Sequence, residues 1–119
     1  GKTASFVIPI LERVELRRGQ AKPQALVLVP TRELAVQVRD ETVKLSQGQR
    51  ARSVALYGGK PIRGQSEKLR RGAEIVVGTP GRVLDHLGRG TLVLDDLIMV
   101  VLDEADRMLD IGFPTSNAF

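Results

Sequence analysis

The sequence predicts an α/β fold built on a mainly parallel sheet with helices packed against it. Two observations predict it. Four short runs, residues 25–29, 53–57, 74–78 and 97–102, carry apolar residues without polar alternation, the pattern of strands covered on both faces. Between them, apolar residues recur at helical spacing. Repeated strand–helix alternation of this kind indicates a parallel sheet.

Taken in order, Phe6, Val7, Ile10, Leu11 and Val14 form the first helical stripe. The run 25–29 is the first strand, and Thr31 after it is a candidate helix N-cap. Leu34, Ala35, Val38 and Leu45 continue as a second stripe, and 53–57 reads as the next strand. Pro61 reads as a loop turn, and Lys68, Leu69, Arg70 and Arg71 as a solvated helix end before Gly72. After the strand 74–78, Thr79 is a second N-cap with Pro80 at the first helical position, followed by Val83, Leu84 and Leu87. The run 97–102 is the last strand. Glu12 and Glu15 read as surface charges, and His86, the single histidine, as a polar surface or half-buried side chain with no second metal ligand nearby.

Composition narrows the function classes. The chain has 119 residues, enough for one small domain. Charge-free stretches reach nine residues, as at 3–11 and 23–31, whereas a membrane-spanning helix needs about 18 or more. No basic segment with an apolar core and cleavage site opens the chain. There is no cysteine, hence no disulfide or thiolate metal site. The net charge of +4 hides an asymmetry: residues 1–82 carry 16 basic and 7 acidic side chains, residues 83–119 only 2 basic and 7 acidic. A basic front points to a polyanionic partner, or else to a solvated surface.

Several segments carry chemistry. Gly1-Lys2-Thr3 is the end of a G-x-x-x-x-G-K-[ST] phosphate loop, followed at once by the amphipathic helix such a loop requires. The two strand-to-helix junctions Pro30-Thr31-Arg32 and Thr79-Pro80-Gly81-Arg82 each place an arginine in a first helical turn. There it opposes the helix dipole but suits a bound phosphate; a pair of capped helices with surface arginines is the plainer alternative. The strand 97–102 ends in Asp103-Glu104-Ala105-Asp106. Carboxylates there are either an acidic helix start or a site where Asp103 holds Mg²⁺, mostly through water, and Glu104 orients or deprotonates a water.

In combination these segments resemble the first RecA-like domain of the DEAD-box ATP-dependent RNA helicases. The resemblance runs from residue 1 to about 113 through Gly1-Lys2-Thr3, Pro30-Thr31-Arg32-Glu33-Leu34-Ala35, Gly58-Gly59, Thr79-Pro80-Gly81-Arg82 and Asp103-Glu104-Ala105-Asp106. Residues 107–113 follow the family's usual continuation, and 114–119 form an atypical tail.

The resemblance implies that Gly1, Lys2 and Thr3 bind ATP, that Thr3 and Asp103 hold Mg²⁺, and that Lys2, Asp103 and Glu104 carry the hydrolysis, with Glu104 as base. Asp106 would couple nucleotide state to domain closure. Thr31, Arg32, Gly59, Thr79, Gly81 and Arg82 would line the sugar-phosphate backbone of single-stranded RNA. Such contacts are nearly blind to sequence and sensitive to salt, and the scarcity of aromatics agrees.

The family's adenine-recognition motif, its Ser-Ala-Thr motif and its second RecA-like domain are not in the sequence. The expectation is therefore an incomplete domain of a cytoplasmic helicase, with no membrane partner, poorly stable and inactive alone. Rival readings are a DNA helicase, disfavoured by these motifs, and a short non-catalytic RNA-binding or regulatory module.

Overall fold

A computed structural model describes residues 2–17 and 19–103, with side chains from Ser5 onward. Helices and strands alternate strictly: α1 (Lys2–Arg13), β1 (Ala25–Leu28), α2 (Arg32–Leu45), β2 (Ser53–Leu56), α3 (Ile62–Arg71), β3 (Ile75–Gly78), α4 (Pro80–Arg89) and β4 (Met99–Leu102). The sheet order is β2-β3-β1-β4, with every pairing parallel. Among the described residues no helix is long and apolar enough to cross a membrane.

The unbroken apolar runs reflect two covered faces. Side chains of a strand alternate between faces. Val27 and Val29 of the first run join Val7 and Ile10 of α1 and Ala35 and Val38 of α2 in one core. Leu26 and Leu28 face the other way, with Val54, Leu69 of α3 and Val83 of α4. Leu26, Val27 and Leu28 are all essentially inaccessible to solvent, each contributing about 1.5–3 kcal/mol by leaving water. β4, at an edge of the described sheet, is half-buried to exposed.

Three local departures from the sequence reading have physical causes. Thr42 fills the gap in the α2 stripe between Val38 and Leu45; it is buried because its hydroxyl donates to the Val38 carbonyl at 2.7 Å. Leu84 is 45% exposed, so the α4 stripe turns away from it and buries Val83 and His86 instead. The helix leading to Lys68–Arg71 begins at Ile62, with Gln65 and Leu69 as its buried residues.

At the amino ends of the strands, a buried carboxylate organises the loops. Glu74 Oε1 accepts from the backbone N–H of Arg52 at 2.8 Å and from its Nε at 3.1 Å, and Oε2 accepts from Nη2 at 2.7 Å. The guanidinium also donates to the carbonyls of Arg17, Gly19 and Arg71. Gly72 closes the crossing: with φ +109°, its Cβ would stand 2.2 Å from the Gly19 carbonyl oxygen, so no side chain fits.

Burial alone would raise the Glu74 carboxyl, but the guanidinium and backbone N–H of Arg52 outweigh it and hold the pKa below the usual range. A carboxyl lowered on folding adds stability that is present above its unfolded value and lost as pH falls through the lower folded value. Replacing Glu74→Gln leaves Arg52 without its counter-charge and should cost about 3 kcal/mol in urea unfolding. The variant should also lose the part of the acid-limb slope that Glu74 contributes in the parent chain.

Candidate functional site

The site is built by the register of the sheet. Leu28 of β1 is level with Gly78 of β3 and Leu102 of β4, and Leu56 of β2 is level with Gly78. The ladder then runs one residue further. The backbone N–H groups of Val29, Thr79 and Asp103 donate to the carbonyls of Gly78, Leu56 and Leu28 at 2.9–3.0 Å. The loops after β1, β2 and β3, and Asp103 after β4, therefore lie side by side at the carboxyl edge of the sheet, where open α/β sheets bind ligands.

Thr31, Arg32, Gly59, Thr79, Gly81 and Arg82 are carried by the three loops after the adjacent strands β1, β2 and β3. Thr31 caps α2, its Oγ1 accepting from the Leu34 N–H at 3.2 Å, which leaves the hydroxyl proton free to donate. Thr79 occupies the N-cap position of α4, but its side chain makes no cap hydrogen bond. Thr79 is therefore not the side-chain cap that the sequence predicted: Pro80 and the backbone conformation start this helix, and the Thr79 hydroxyl bonds to no described residue.

Gly59 has φ +86°, and a Cβ there would come 2.7 Å from Nη1 of Arg32. The exposed Arg32 guanidinium thus lies against the Gly58-Gly59 turn, with no ion-pair partner among the described residues. Gly81 is exposed and nothing lies within 4 Å of where its Cβ would be. The fold does not require glycine at this helical position.

Arg82 is held in place by residues that sequence reasoning did not select. Its Nη1 donates to the Lys60 carbonyl and to Gln65 Oε1, both at 3.1 Å. Gln65 Nε2 donates to the Tyr57 carbonyl at 2.9 Å, so its Oε1 is the acceptor facing Arg82 and His86 Nε2, the latter at 3.1 Å. This assigns the His86 proton to Nε2, and Nδ1 accepts from the Thr91 hydroxyl at 2.7 Å.

His86 is 0% exposed, not a surface or half-buried residue as its polarity suggested. Burial first, then the Arg82 charge, push its pKa down against an opposing pull from Asp85. The usable sequence signal was its position three residues after Val83, on the buried face of α4.

The phosphate-loop residues Lys2 and Thr3 open α1, their side chains lying outside the described residues, as do Gly1, Glu104, Asp106 and the tail 114–119. Asp103 follows β4 directly and is half-buried. No described residue hydrogen-bonds or ion-pairs with its carboxylate. Among the described residues no cluster of three or more His, Cys, Asp or Glu could hold a metal ion by itself.

The family model of the DEAD/DEAH box helicases matches residues 1–117. The chain belongs to the DEAD/DEAH box helicase family. It is 50% identical over 113 residues to the DEAD-box ATP-dependent RNA helicase CshA of Geobacillus kaustophilus and 49% identical to the ATP-dependent RNA helicase CshA of Listeria monocytogenes. The matches cover 95% of this chain but 24% and 21% of those relatives, so the chain spans roughly a quarter of their length.

Among solved structures, a DEAD box protein from Methanococcus jannaschii matches with a TM-score of 0.86 and 50% identity, over 95% of this chain and 30% of that one. The yeast DEAD-box splicing factor Prp28 matches with a TM-score of 0.85 and 38% identity, over 95% and 28%. The parallel sheet is thus the RecA-like sheet of DEAD-box proteins, as the sequence predicted.

In this DEAD-box chain, Gln65→Ala would leave His86 Nε2 without its acceptor and Arg82 with the Lys60 carbonyl alone, and should cost about 2 kcal/mol in urea unfolding. Because the folded pKa of His86 is lowered, its neutral form contributes fully above the free imidazole value of about 6.5. That contribution is lost as pH falls through the folded value. Long-range ¹H–¹⁵N spectra should show the neutral ring protonated on Nε2, and the ring titrating below a free imidazole.

Proposed function

We propose that the chain supplies the ATP-binding and RNA-binding surfaces of the first RecA-like domain of an ATP-dependent RNA helicase acting in the cytoplasm. In the intact protein, RNA-stimulated ATP hydrolysis would drive local duplex unwinding. The observation that carries this reading is the convergence of three loops at one sheet edge. Arg32 lies on Gly59 there, and Arg82 is fastened to Lys60 and Gln65. Two arginines held at helix starts, beside hydroxyls able to donate, suit successive phosphates of one strand.

Thr31, Arg32, Gly59, Thr79, Gly81 and Arg82 line that strand. They contact its backbone, so binding is nearly independent of base sequence. Gly81 lets the strand approach the α4 backbone closely. A residue with no steric reason to be glycine and a poor helix former is otherwise a cost of about 1 kcal/mol.

At the nucleotide end, Gly1, Lys2 and Thr3 cradle the phosphates. Thr3 and Asp103 hold Mg²⁺, Glu104 takes the proton of the attacking water, and Asp106 couples nucleotide state to closure against a second RecA-like domain. The half-buried Asp103 carboxylate, uncommitted to any described residue, fits this role. Mg²⁺, when bound, would neutralise charge developing on the transferred phosphoryl group.

Gly81→Ala tests the reading in the full-length protein. It should leave the melting temperature unchanged or slightly raised, yet weaken single-stranded RNA binding by about tenfold or more and lower RNA-stimulated ATP hydrolysis with it. Glu104→Gln should abolish hydrolysis while sparing RNA binding. Unchanged RNA affinity in Gly81→Ala, or hydrolysis stimulated by DNA in place of RNA, would sink the reading.

A further inference from the structure

Beside the three-loop edge, along the edge strand β2 with α2 on one face of the sheet and α3 on the other, lies a cavity of about 380 Å³. Its lining includes Arg39, Tyr57, Lys60, Gly64, Gln65 and Lys68. Three of these are cationic and no carboxylate lines it. Lys60 and Lys68 are exposed and have no ion-pair partner among the described residues. The nearest acid in sequence, Asp40, is engaged by Arg39 Nε at 2.8 Å, which leaves the two terminal nitrogens of that arginine available. Glu67 of α3 is paired with Arg70.

Two further observations point to an anion. The α3 N-terminus, which contributes Gly64 and Gln65 to the lining, has no side-chain cap and no acidic residue in its first turn. Its free N–H groups and positive dipole end are thus uncompensated by protein. Gly64 is the second. It is exposed, helical, and has nothing within 4 Å of its Cβ position, so neither backbone strain nor packing calls for glycine. Gly81 and Gly88 of α4 have the same character, the first of them at the three-loop edge.

The cavity is joined to that edge by shared atoms. Arg82 donates to the carbonyl of Lys60, whose residue lines the cavity, and to Oε1 of Gln65, which lines it too. A strand leaving Arg82 on this side meets the cavity next. We propose that the cavity is an additional phosphodiester subsite, with Lys60, Lys68 and Arg39 as its cations, that takes RNA extending beyond the three-loop track. This inference rests on the RNA-binding reading above. A cationic groove of pocket size beside a backbone track is how single strands are followed without sequence preference.

The test is fluorescence anisotropy of labelled oligouridylates, about six and about twelve nucleotides long, with the full-length protein. Lys68→Ala should weaken the longer oligonucleotide about three- to tenfold, reduce its salt slope by about one, and leave the shorter one unchanged. Gly64→Ala, which adds helix propensity, should weaken the longer one without lowering the melting temperature. Lys44→Ala, an exposed lysine of α2 outside the cavity, should change neither, and Arg82→Ala should weaken both.

If Lys68→Ala behaves like Lys44→Ala while Arg82→Ala still weakens binding, the subsite is wrong and the track survives. Equal weakening of both lengths by Lys68→Ala also overturns it, as does polyglutamate binding that needs Lys68 while RNA binding does not. If the parent protein binds neither oligonucleotide, the track reading falls together with the subsite.

Discussion

The arrangement of this molecule depends on the unstaggered parallel pairing of β1 with both β3 and β4. Because Leu28, Gly78 and Leu102 stand at one level, the loops that follow leave the sheet in a row. A shift of one residue would turn the apolar set of a strand to its other face. Here β1 has no face to spare, since Ala25, Leu26, Val27, Leu28 and Val29 are all buried. Core packing therefore holds the register, and the register sets Thr79 and Asp103 level with Val29, two residues before Thr31. Stability and site geometry are in this respect one constraint.

The glycines divide along the same line. Gly72 and Gly78 serve the fold: a Cβ on Gly78 would fall 2.5 Å from Cγ2 of Val83, so its absence lets the first turn of α4 pack down on the end of β3. Gly59 serves the loop edge, through its positive φ and the guanidinium of Arg32 beside it. Gly58, Gly64 and Gly81 meet nothing within 4 Å. Gly19, Gly48, Gly88 and Gly90 are open in the same way elsewhere, so Gly58, Gly64 and Gly81 stand out by their place beside the loop edge and not by openness.

Much of this was legible in the sequence, for reasons that can be stated residue by residue. The strands were visible because burial on both faces removes polar residues, leaving runs such as 25–29 unmistakable. α2 was visible through Ala35 and Val38, although Thr42 hid its middle turn by satisfying its own hydroxyl on the Val38 carbonyl. The helix leading to Lys68–Arg71 was legible only at its end, because Gln65 and Leu69 alone are buried in it.

His86 was misread in kind, and Glu74 was not singled out at all. A polar side chain is taken for a surface one unless its partners are known. The partners of these two, Gln65 and Thr91 for His86 and Arg52 for Glu74, lie 5–22 residues away in sequence and meet only in the fold. The motif residues at the three loops could be located by pattern. What holds Arg82 could not.

That hidden support makes the two loop-edge arginines unequal. Arg32 is exposed, lies against Gly59, and makes no side-chain hydrogen bond or ion pair among the described residues. It can still sample rotamers, and ordering it on a ligand carries the entropic cost of a long side chain. Arg82 is already tied to Lys60 and Gln65, and Gln65 is in turn held by Tyr57 and His86. Its ordering cost is met during folding, so a strand bound as proposed would meet a preorganised guanidinium there. The buried His86–Gln65 pair, two steps removed from any ligand, is the reason. The rigid arginine is suited to set the register of a bound strand, and the mobile one to follow it.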